Sequence, residues 1–323
     1  MKHEDGYPKL CIRSKNELAK HISHKGFLPD EALALINNVK SNFNDYWKDS
    51  KKASKPQNDK YVRNAKGSPL GKLLRKIDRL VLTPHDSLLP NFIFGGVKGK
   101  NHAMAAYNLL GNKRRRRLLK IDISRFYERV ELHRVINFFQ YKCGCQYRAA
   151  KLLAEFCSVP FGAKDSKNPR ITIARGFATS SRLAIWCNLG VFKKMERLVM
   201  RRLKGHDPRI SVYVDDIGIT SSGVTKEQME NLRDEVIQLL QTHDKNQPLP
   251  VNKKKTAIQS HEEGLYILGI KLNRNNLTIG RKTHSRIHNF KHKLKVSKAK
   301  KERDKLKQLI RGISRYKNYV ENM

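Results

Sequence analysis

The sequence lacks any long apolar run, because no stretch approaches the ~18 consecutive apolar residues that a membrane-spanning helix requires. The first ten residues, MKHEDGYPKL, also lack the apolar centre of a secretory signal peptide. The five cysteines form no paired framework: Cys143-Gly-Cys145 has no second pair at zinc-ligand spacing. We therefore expect reduced thiols, mostly in the core, in a cytoplasmic protein with no membrane partner.

Acidic residues are scarce relative to basic ones, with 29 Asp and Glu against 67 Lys and Arg and a formal net charge of +38. A field of this sign and size favours a polyanionic partner. Basic surfaces also aid solubility or bind acidic membranes, but an excess spread over the whole chain favours nucleic acid. The 323 residues are 39% apolar, which is enough for a sizeable core shared by two or three subdomains.

Helical and strand patterns are mixed without strict βαβ alternation, which predicts an α+β core with an antiparallel sheet. A short apolar strand follows the basic run 114–117 and carries Asp122 near its end. Residues 210–219 alternate apolar positions around Asp215-Asp216, which predicts a hairpin with both acids at its turn. Helices are predicted at 70–81, 131–141, 146–157, 178–200, 225–239 and 281–323, and further strands near 265–272 and 277–279.

Two adjacent carboxylates inside an apolar hairpin are costly unless a cation neutralises them, since like charges repel and burial removes their hydration. Mg²⁺ suits such oxygen ligands. If the Asp122 strand lay beside the hairpin, three carboxylates would converge, as two-metal phosphoryl transfer requires. An acid pair that merely hydrogen-bonds its own turn is the plainer alternative. The flanking apolar strands and the net charge favour the metal site.

Five segments, in order, resemble the motifs of reverse transcriptases. They are LKIDISRFY at 119–127 (motif A), RGFATSSRLA at 175–184 (B), YVDD at 213–216 (C), LPVNKKKT at 249–256 (D) and LYILGIKL at 265–272 (primer grip). The resemblance runs from about residue 60 to the end and is greatest to compact bacterial enzymes of the retron and defence-associated (unknown group) types. Ile267-Leu268-Gly269 stands where retron enzymes carry Val-Thr-Gly, which favours the defence-associated type.

The resemblance implies an α+β right-hand polymerase with fingers, an antiparallel palm sheet and a helical basic thumb. N-terminal helices and fingers would occupy 1–113, the palm 114–272 with part of the fingers inserted at about 131–175, and the thumb 273–323. The last segment, 281–323, carries 15 Lys and Arg against three acids. A thumb of this charge would grip the template-primer backbone through its phosphates.

The resemblance also assigns the catalytic residues. Asp122 and Asp215 would be the principal ligands of two Mg²⁺ ions (Mn²⁺ being the substitute ion), with Asp216 assisting and Ile123 included in the metal site. Lys255 would protonate the leaving pyrophosphate or offset its charge. The neighbouring lysines at 253 and 254 compete for that role, and a solvated basic run is the plainer interpretation.

For the nucleotide site, Tyr127 would be the steric gate against the ribose 2′-hydroxyl, with a core aromatic as the alternative. Gly176 would open the motif B helix and let its backbone approach base or sugar. Arg175 replaces the usual Gln and would place a forked cation near the nucleotide or template base, and Ser181 replaces the usual Pro. Further nucleotide-binding residues are Phe126, Arg63 and Lys66; nucleic-acid contacts are assigned to Tyr213, Gly269, Arg281, Lys282, Lys291 and Lys295.

These residues predict RNA-templated addition of dNTPs to a 3′-hydroxyl, giving a DNA product, on a structured non-coding RNA and in antiphage defence. A template-independent nucleotidyl transferase is an alternative that Arg175 keeps open. Tyr127 argues against an RNA-dependent RNA polymerase, and the intact acids argue against a catalytically silent RNA-binding scaffold. The oligomeric state and the primer (RNA, DNA or a protein hydroxyl) are left open.

Overall fold

The computed structural model describes residues 6–113 and 115–323. Residues 1–5 and Arg114 lie outside the described residues, so the predictions for the N-terminal end of the chain and for the start of the basic run stay sequence predictions. The regular elements, in chain order, are α1 (Lys15–Ile22), α2 (Pro29–Ser41), β1 (Lys48–Asp49), β2 (Arg63–Asn64), α3 (Pro69–Lys76), α4 (His102–Asn108), β3 (Arg116–Asp122), α5 (Leu132–Asn137), α6 (Tyr147–Cys157), β4 (Ser158–Pro160), β5 (Ile171–Ile173), α7 (Ser180–Arg202), β6 (Arg209–Tyr213), β7 (Asp216–Ser222), α8 (Lys226–Thr242), β8 (Ala257–Gln259), β9 (Leu265–Ile267), β10 (Ile270–Leu272), β11 (Leu277–Ile279), α9 (Arg281–Val296) and α10 (Lys300–Glu321).

A four-stranded antiparallel sheet, here called the acid-bearing sheet, has the strand order β6-β7-β3-β8. β3 pairs with β7 along its whole length, in a register that sets Asp122 opposite Asp216. β6 and β7 form the predicted hairpin, closed by the two residues Val214 and Asp215. The α+β architecture, the antiparallel sheet and the hairpin are thereby confirmed.

The hairpin turn has an unusual backbone, because Val214 adopts a φ of 60°, in the left-handed region that β-branched residues avoid. The neighbouring segment 92–95 holds it in place: Phe94 N donates to Val212 O at 2.9 Å. Gly95 lies so close that a Cβ there would be 2.2 Å from Val214 N. Such packing stabilises a strained turn, and this turn carries Asp215.

The N-terminal helices α1–α3 pack with α5, α6 and α7 into the main apolar core. The helical segments predicted at 131–141 and 146–157 are confirmed, and the core includes Leu119, Ile121 and Ile217 from one face of the acid-bearing sheet. Its largest fully buried side chains include Trp186, Phe126, Phe139 and Phe192. Cys143, Cys145 and Cys157 are buried and Cys11 is exposed, and all five cysteines are free, as predicted.

The start of α7 is anchored by a buried guanidinium, that of Arg182. Its Nε and Nη2 donate to the Asp86 carboxylate at 2.8 and 3.0 Å, and its Nη1 pairs with Asp78. The two acids lie on a π-helical turn, Ile77–Leu82, and on the following 3₁₀ turn, Thr83–Leu88. Arg182 directly follows Ser181, so this network fixes the start of α7 relative to the N-terminal helices.

The chain ends in a second small sheet, of order β11-β10-β9, and the helices α9 and α10. The prediction of two strands here was wrong, because Leu268 and Gly269, both with positive φ, turn the chain and divide 265–272 into β9 and β10. β10 pairs with β11, so the predicted boundary at 272/273 falls inside this sheet. α9 and α10 confirm the helical prediction for 281–323. No helix in the described residues is long and apolar enough to span a membrane.

Candidate active site on the acid-bearing sheet

Three aspartates lie at the end of β3 and at the turn of the neighbouring β6–β7 hairpin. Asp122 and Asp216 are direct cross-strand partners. Asp215 lies in the turn, where its carbonyl oxygen accepts a hydrogen bond from Ile123 N at 2.9 Å. Asn252 N donates to Asp122 O at 2.8 Å, which brings the 249–256 loop against the same strand end.

The hairpin carboxylates are electrostatically unfavourable in this position. Burial, together with repulsion from Asp215 and Asp122, raises the pKa of Asp216 to about 6. Burial and the Asp122 charge also raise the pKa of Asp215. Acids kept half-buried beside one another require a positive partner to remain ionised at neutral pH.

The donor set fits a divalent cation, since it consists of hard, like-charged carboxylate oxygens and since the pKa values of Asp215 and Asp216 are raised in this position. Within 6–113 and 115–323, however, no three or more His, Cys, Asp or Glu side chains are placed to hold one metal ion. The strands that carry the three aspartates therefore lie side by side as expected, but their carboxylates are not placed around one ion. Like-charged carboxylates repel one another, and the Asp122 carboxylate accepts a hydrogen bond from Lys255. Ile123 can contribute its main-chain carbonyl alone, since its side chain is buried and apolar.

Lys255 is the lysine of the 253–255 run that the structure places against the acids. Its Nζ lies 2.8 Å from Asp122 Oδ2, and this hydrogen bond raises the pKa of the lysine. The side chain is 64% exposed, so it is held at the acid without being enclosed. Lys253 and Lys254 are exposed neighbours in the same loop.

Tyr127 is held on several sides. Its hydroxyl lies 2.9 Å from Ser181 Oγ, and the Arg175 guanidinium covers its ring at 4.7 Å from the centroid. Burial raises the pKa of Tyr127, so the phenol stays protonated at neutral pH. Ser181, the residue that replaces the usual Pro, thus fixes the orientation of the predicted gate.

Arg175 does not present a free fork to a nucleotide, because Glu128 occupies it. Arg175 Nε and Nη2 donate to Glu128 Oε1 and Oε2, both at 2.8 Å, with the two side chains largely buried. The forked cation predicted near the nucleotide or template base is thus already paired with Glu128, and its guanidinium covers Tyr127. Sequence reasoning missed Glu128, although an acid directly after Tyr127 was available to balance an unusual Arg.

Two residues assigned to the nucleotide are structural. Phe126 is fully buried and packs against Phe192 at 6.2 Å between centroids, so it belongs to the core. Arg63 is buried too: it pairs with Asp49 and donates to Pro160 O at 3.0 Å. Buried guanidinium groups need such partners, which leaves Arg63 no freedom to reach a triphosphate.

Gly176 does not open α7, because the helix begins four residues later, at Ser180. Its φ of 102° is accessible to glycine, and a Cβ there would lie 2.5 Å from Arg63 O. The close approach that this glycine permits is therefore that of β2, whose Arg63 N donates to Arg175 O at 2.7 Å. Lys66 is exposed in the loop before α3, as a cation with access to solvent.

The residues predicted to contact nucleic acid lie on accessible elements. Tyr213 is half-buried at the end of β6, with its ring edge-on to His102 at 6.1 Å. Gly269 is exposed in the β9–β10 turn. His102 Nε2 lies 2.8 Å from Tyr316 OH, so α10 packs back against α4 next to Tyr213. The predicted phosphate-binding residues of α9, all exposed, are Arg281, Lys282, Lys291 and Lys295.

Residues 55–272 match the family model described as reverse transcriptase (RNA-dependent DNA polymerase). The chain belongs to the reverse transcriptase family. The match covers all three aspartates, Tyr127 and Lys255 of this reverse transcriptase, and it ends before α9. The bacterial, retron-like resemblance of the sequence is thereby confirmed at the level of the family.

Retron Ec48 reverse transcriptase from Escherichia coli is 26% identical to this reverse transcriptase over 224 residues. The alignment covers 66% of this chain and 50% of the relative, so the chain spans about half the length of that curated protein. Among solved structures, telomerase from Candida albicans in complex with a TWJ fragment of telomeric RNA is similar over 71% of this chain and 43% of that chain. The identity is 14% and the TM-score 0.41.

Proposed function

We propose that this chain is an RNA-directed DNA polymerase that adds deoxynucleotides to a 3′-hydroxyl at Asp122, Asp215 and Asp216. The observation that carries the proposal is the register of β3 and β7, which pairs Asp122 with Asp216 beside the turn that carries Asp215. In a chain of the reverse transcriptase family, this strand end is where phosphoryl-transfer acids are expected.

Asp122, Asp215, Asp216 and the Ile123 carbonyl would hold two Mg²⁺ ions. When bound, these ions lower the pKa of the attacking 3′-hydroxyl and neutralise phosphate charge. The chain's own acids supply the negative charge that positions the cations. The raised pKa values of Asp215 and Asp216 indicate that these two carboxylates need a positive partner to be fully ionised.

Lys255 would act on the leaving group. Its ammonium is held at Asp122 and stays protonated at neutral pH, because the Asp122 hydrogen bond raises its pKa. Since the side chain is mostly exposed, it can turn from Asp122 towards the pyrophosphate and donate the Nζ proton. The structure favours Lys255 over its neighbours for this role by the contact with Asp122.

Tyr127 would select deoxyribose. The hydrogen bond with Ser181 and the overlying Arg175–Glu128 pair restrict the ring to one position. A rigid ring at the sugar site excludes a 2′-hydroxyl by overlap, which a mobile ring would not. Arg175 was the reason for keeping a template-independent transferase as an alternative. Because Glu128 neutralises Arg175, this reason is weakened.

We further infer a right-hand arrangement in which the acid-bearing sheet is the palm and α9 and α10 belong to the thumb. Arg281, Lys291 and Lys295 lie on one face of α9 at helical spacing and are exposed. Lys282, directly after Arg281, is rotated away from that face. Contacts of these cations with phosphates would bind the template-primer without reading its sequence.

The template in this proposal is a structured non-coding RNA, and the biological role is antiphage defence. The net charge of +38 supports an extended RNA partner. Sequencing the RNA that co-purifies from the native host tests the first part, and recovery of a random RNA pool would contradict it. Unchanged phage sensitivity after deletion of the locus would count against the second part.

The test of the activity is incorporation of labelled dNTPs and rNTPs by the purified chain on poly(rA)–oligo(dT) with Mg²⁺. We expect template-dependent dNTP incorporation, also supported by Mn²⁺, which Asp215→Asn/Asp216→Asn abolishes while circular dichroism stays unchanged. Incorporation without template would favour a terminal transferase instead. Absence of incorporation by either protein, even with co-purified RNA, would favour an RNA-binding scaffold.

A further inference from the structure

A cavity of about 720 Å³ opens beside the C-terminal half of α7. It is bordered by α7, by the turn that follows α5, by the end of α8 and by Tyr7. Five Lys and Arg side chains line this α7 cavity, and no Asp or Glu is among the lining residues. The cavity therefore concentrates positive charge even relative to this basic chain, which favours an anionic occupant.

The α7 cavity is separate from the proposed nucleotide site. Ser181, which contacts Tyr127, lies at the start of α7, and Lys194 follows 13 residues later on the same helix. At 1.5 Å per residue the two positions are about 20 Å apart along the helix axis. A dNTP bound at the acids is too short to extend to Lys194. The cavity therefore binds a different ligand, or a different part of a long ligand.

The cations at the cavity differ in how strongly their charged groups are already hydrogen-bonded within the protein. Arg134 is structural, because its Nε donates to Cys187 O at 3.1 Å and its Nη1 to Gln247 Oε1 at 3.2 Å. Lys194 and Arg197, in contrast, are exposed on α7. They lie one helical turn apart and both line the cavity, so their charged groups can approach neighbouring phosphates of one strand.

Aromatic rings form the remaining wall. Tyr7, Phe138 and Trp186 contact one another, with centroids 5.9 to 6.4 Å apart. Phe138 and Trp186 are buried and form the floor, and half-buried Tyr7 has the Lys142 and Lys193 ammonium groups over its ring. Tyr141, in contrast, is 53% exposed. Large exposed aromatic side chains beside cations are typical of sites on which unpaired bases stack.

We propose that the α7 cavity binds an unpaired stretch of RNA, with a base against Tyr141 and the adjoining phosphates on Lys194 and Arg197. The combination of cationic and aromatic side chains decides the ligand class, because phosphate alone or an acidic peptide would contact the cations and not the rings. A duplex keeps its bases stacked inside and cannot insert one. The inference rests on the proposed function, since that function supplies RNA as the partner; it adds an anchoring site remote from the acids.

The location is tested by photocrosslinking the full chain to a single-stranded RNA that contains 4-thiouridine, followed by mass spectrometry of the crosslinked peptides. We expect crosslinks at Tyr141. Duplex RNA of the same sequence should not give them. Crosslinks confined to other surfaces, or equal crosslinking of duplex and single strand at Tyr141, would overturn the proposal.

The energetics are tested by RNA binding of Lys194→Gln/Arg197→Gln beside a matched control, Lys40→Gln/Arg148→Gln, which removes the same charge from exposed helical positions outside the cavity. We expect the cavity variant to bind single-stranded RNA about tenfold more weakly than the control, with a salt slope reduced by about 1.4. Tyr141→Ala should weaken binding at least about fivefold through lost stacking. Equal affinities of the cavity and control variants would refute the site.

The outcome for polymerisation is separate. Both double variants should retain dNTP incorporation on poly(rA)–oligo(dT), because the cavity is remote from the acids. If the wild-type chain fails to incorporate dNTPs but crosslinks at Tyr141, the polymerase proposal fails and the RNA site stands. If incorporation is normal and the crosslinks lie elsewhere, the RNA site fails and the polymerase proposal stands.

Discussion

At the scale of single residues, the proposed gate depends on Tyr127, whose ring is held by Ser181 and Arg175. We expect Tyr127→Ala to reduce the preference for dNTPs over rNTPs by about 10- to 100-fold, since the overlap with the 2′-hydroxyl is lost. Ser181→Ala should lower the preference less, because the ring remains but loses its hydrogen bond. The ratio of kcat/KM for the two nucleotides measures both. Tyr127→Phe is the control, and a preference unchanged in Tyr127→Ala would refute the gate.

Lys255 yields a second residue-scale prediction. Lys255→Gln keeps a polar side chain of similar reach but cannot donate a proton as an acid, so the single-turnover rate should fall about 10²- to 10⁴-fold. Lys253→Gln and Lys254→Gln remove charge from the same loop without the Asp122 contact and should stay within a few fold of wild type. Similar losses in all three variants would assign the effect to general charge instead.

At the scale of elements, the stability of α7 depends on Arg182. Its guanidinium is buried with Asp78 and Asp86, so Arg182→Ala leaves two uncompensated acids and should cost about 3–5 kcal/mol in the free energy of unfolding. Arg202→Ala, at the exposed end of the same helix, breaks an ion pair with Glu235 and should cost under about 1 kcal/mol. Urea denaturation of both variants measures the difference, and equal losses would contradict the buried network.

Elements with strong periodicity or alternation followed from the sequence, and the details of their ends did not. The hairpin at 210–219 was predictable because apolar alternation on both sides of Asp215 fixes which faces are buried. The division of 265–272 was not, since Leu268 adopts its positive φ only in the turn that Gly269 completes. Arg63 could not be placed from sequence either, because its partner Asp49 and the 160–162 loop meet it through tertiary packing.

At the scale of the whole molecule, the net charge should dominate affinity for nucleic acid. We expect binding of an RNA–DNA template-primer to weaken linearly on a plot of log affinity against log salt concentration. Lys291→Gln/Lys295→Gln should reduce that slope by about 2, as two phosphate contacts are lost. The double variant Lys40→Gln/Arg148→Gln should leave it nearly unchanged. A slope unaffected by the α9 variant would place the template-primer away from α9.

The sequence by itself determined the class of this protein. Asp122 at a strand end, Asp215-Asp216 in an apolar hairpin and a large basic excess are local or compositional features that indicated a metal site and a nucleic-acid partner. The five motifs in order between residues 119 and 272 added the resemblance to reverse transcriptases. Tertiary structure alone decided which charges remain available. It paired Arg175 with Glu128 and Arg63 with Asp49, because a buried guanidinium requires a partner. It also set the exposed Lys255 at Asp122, because the 249–256 loop packs against the end of β3.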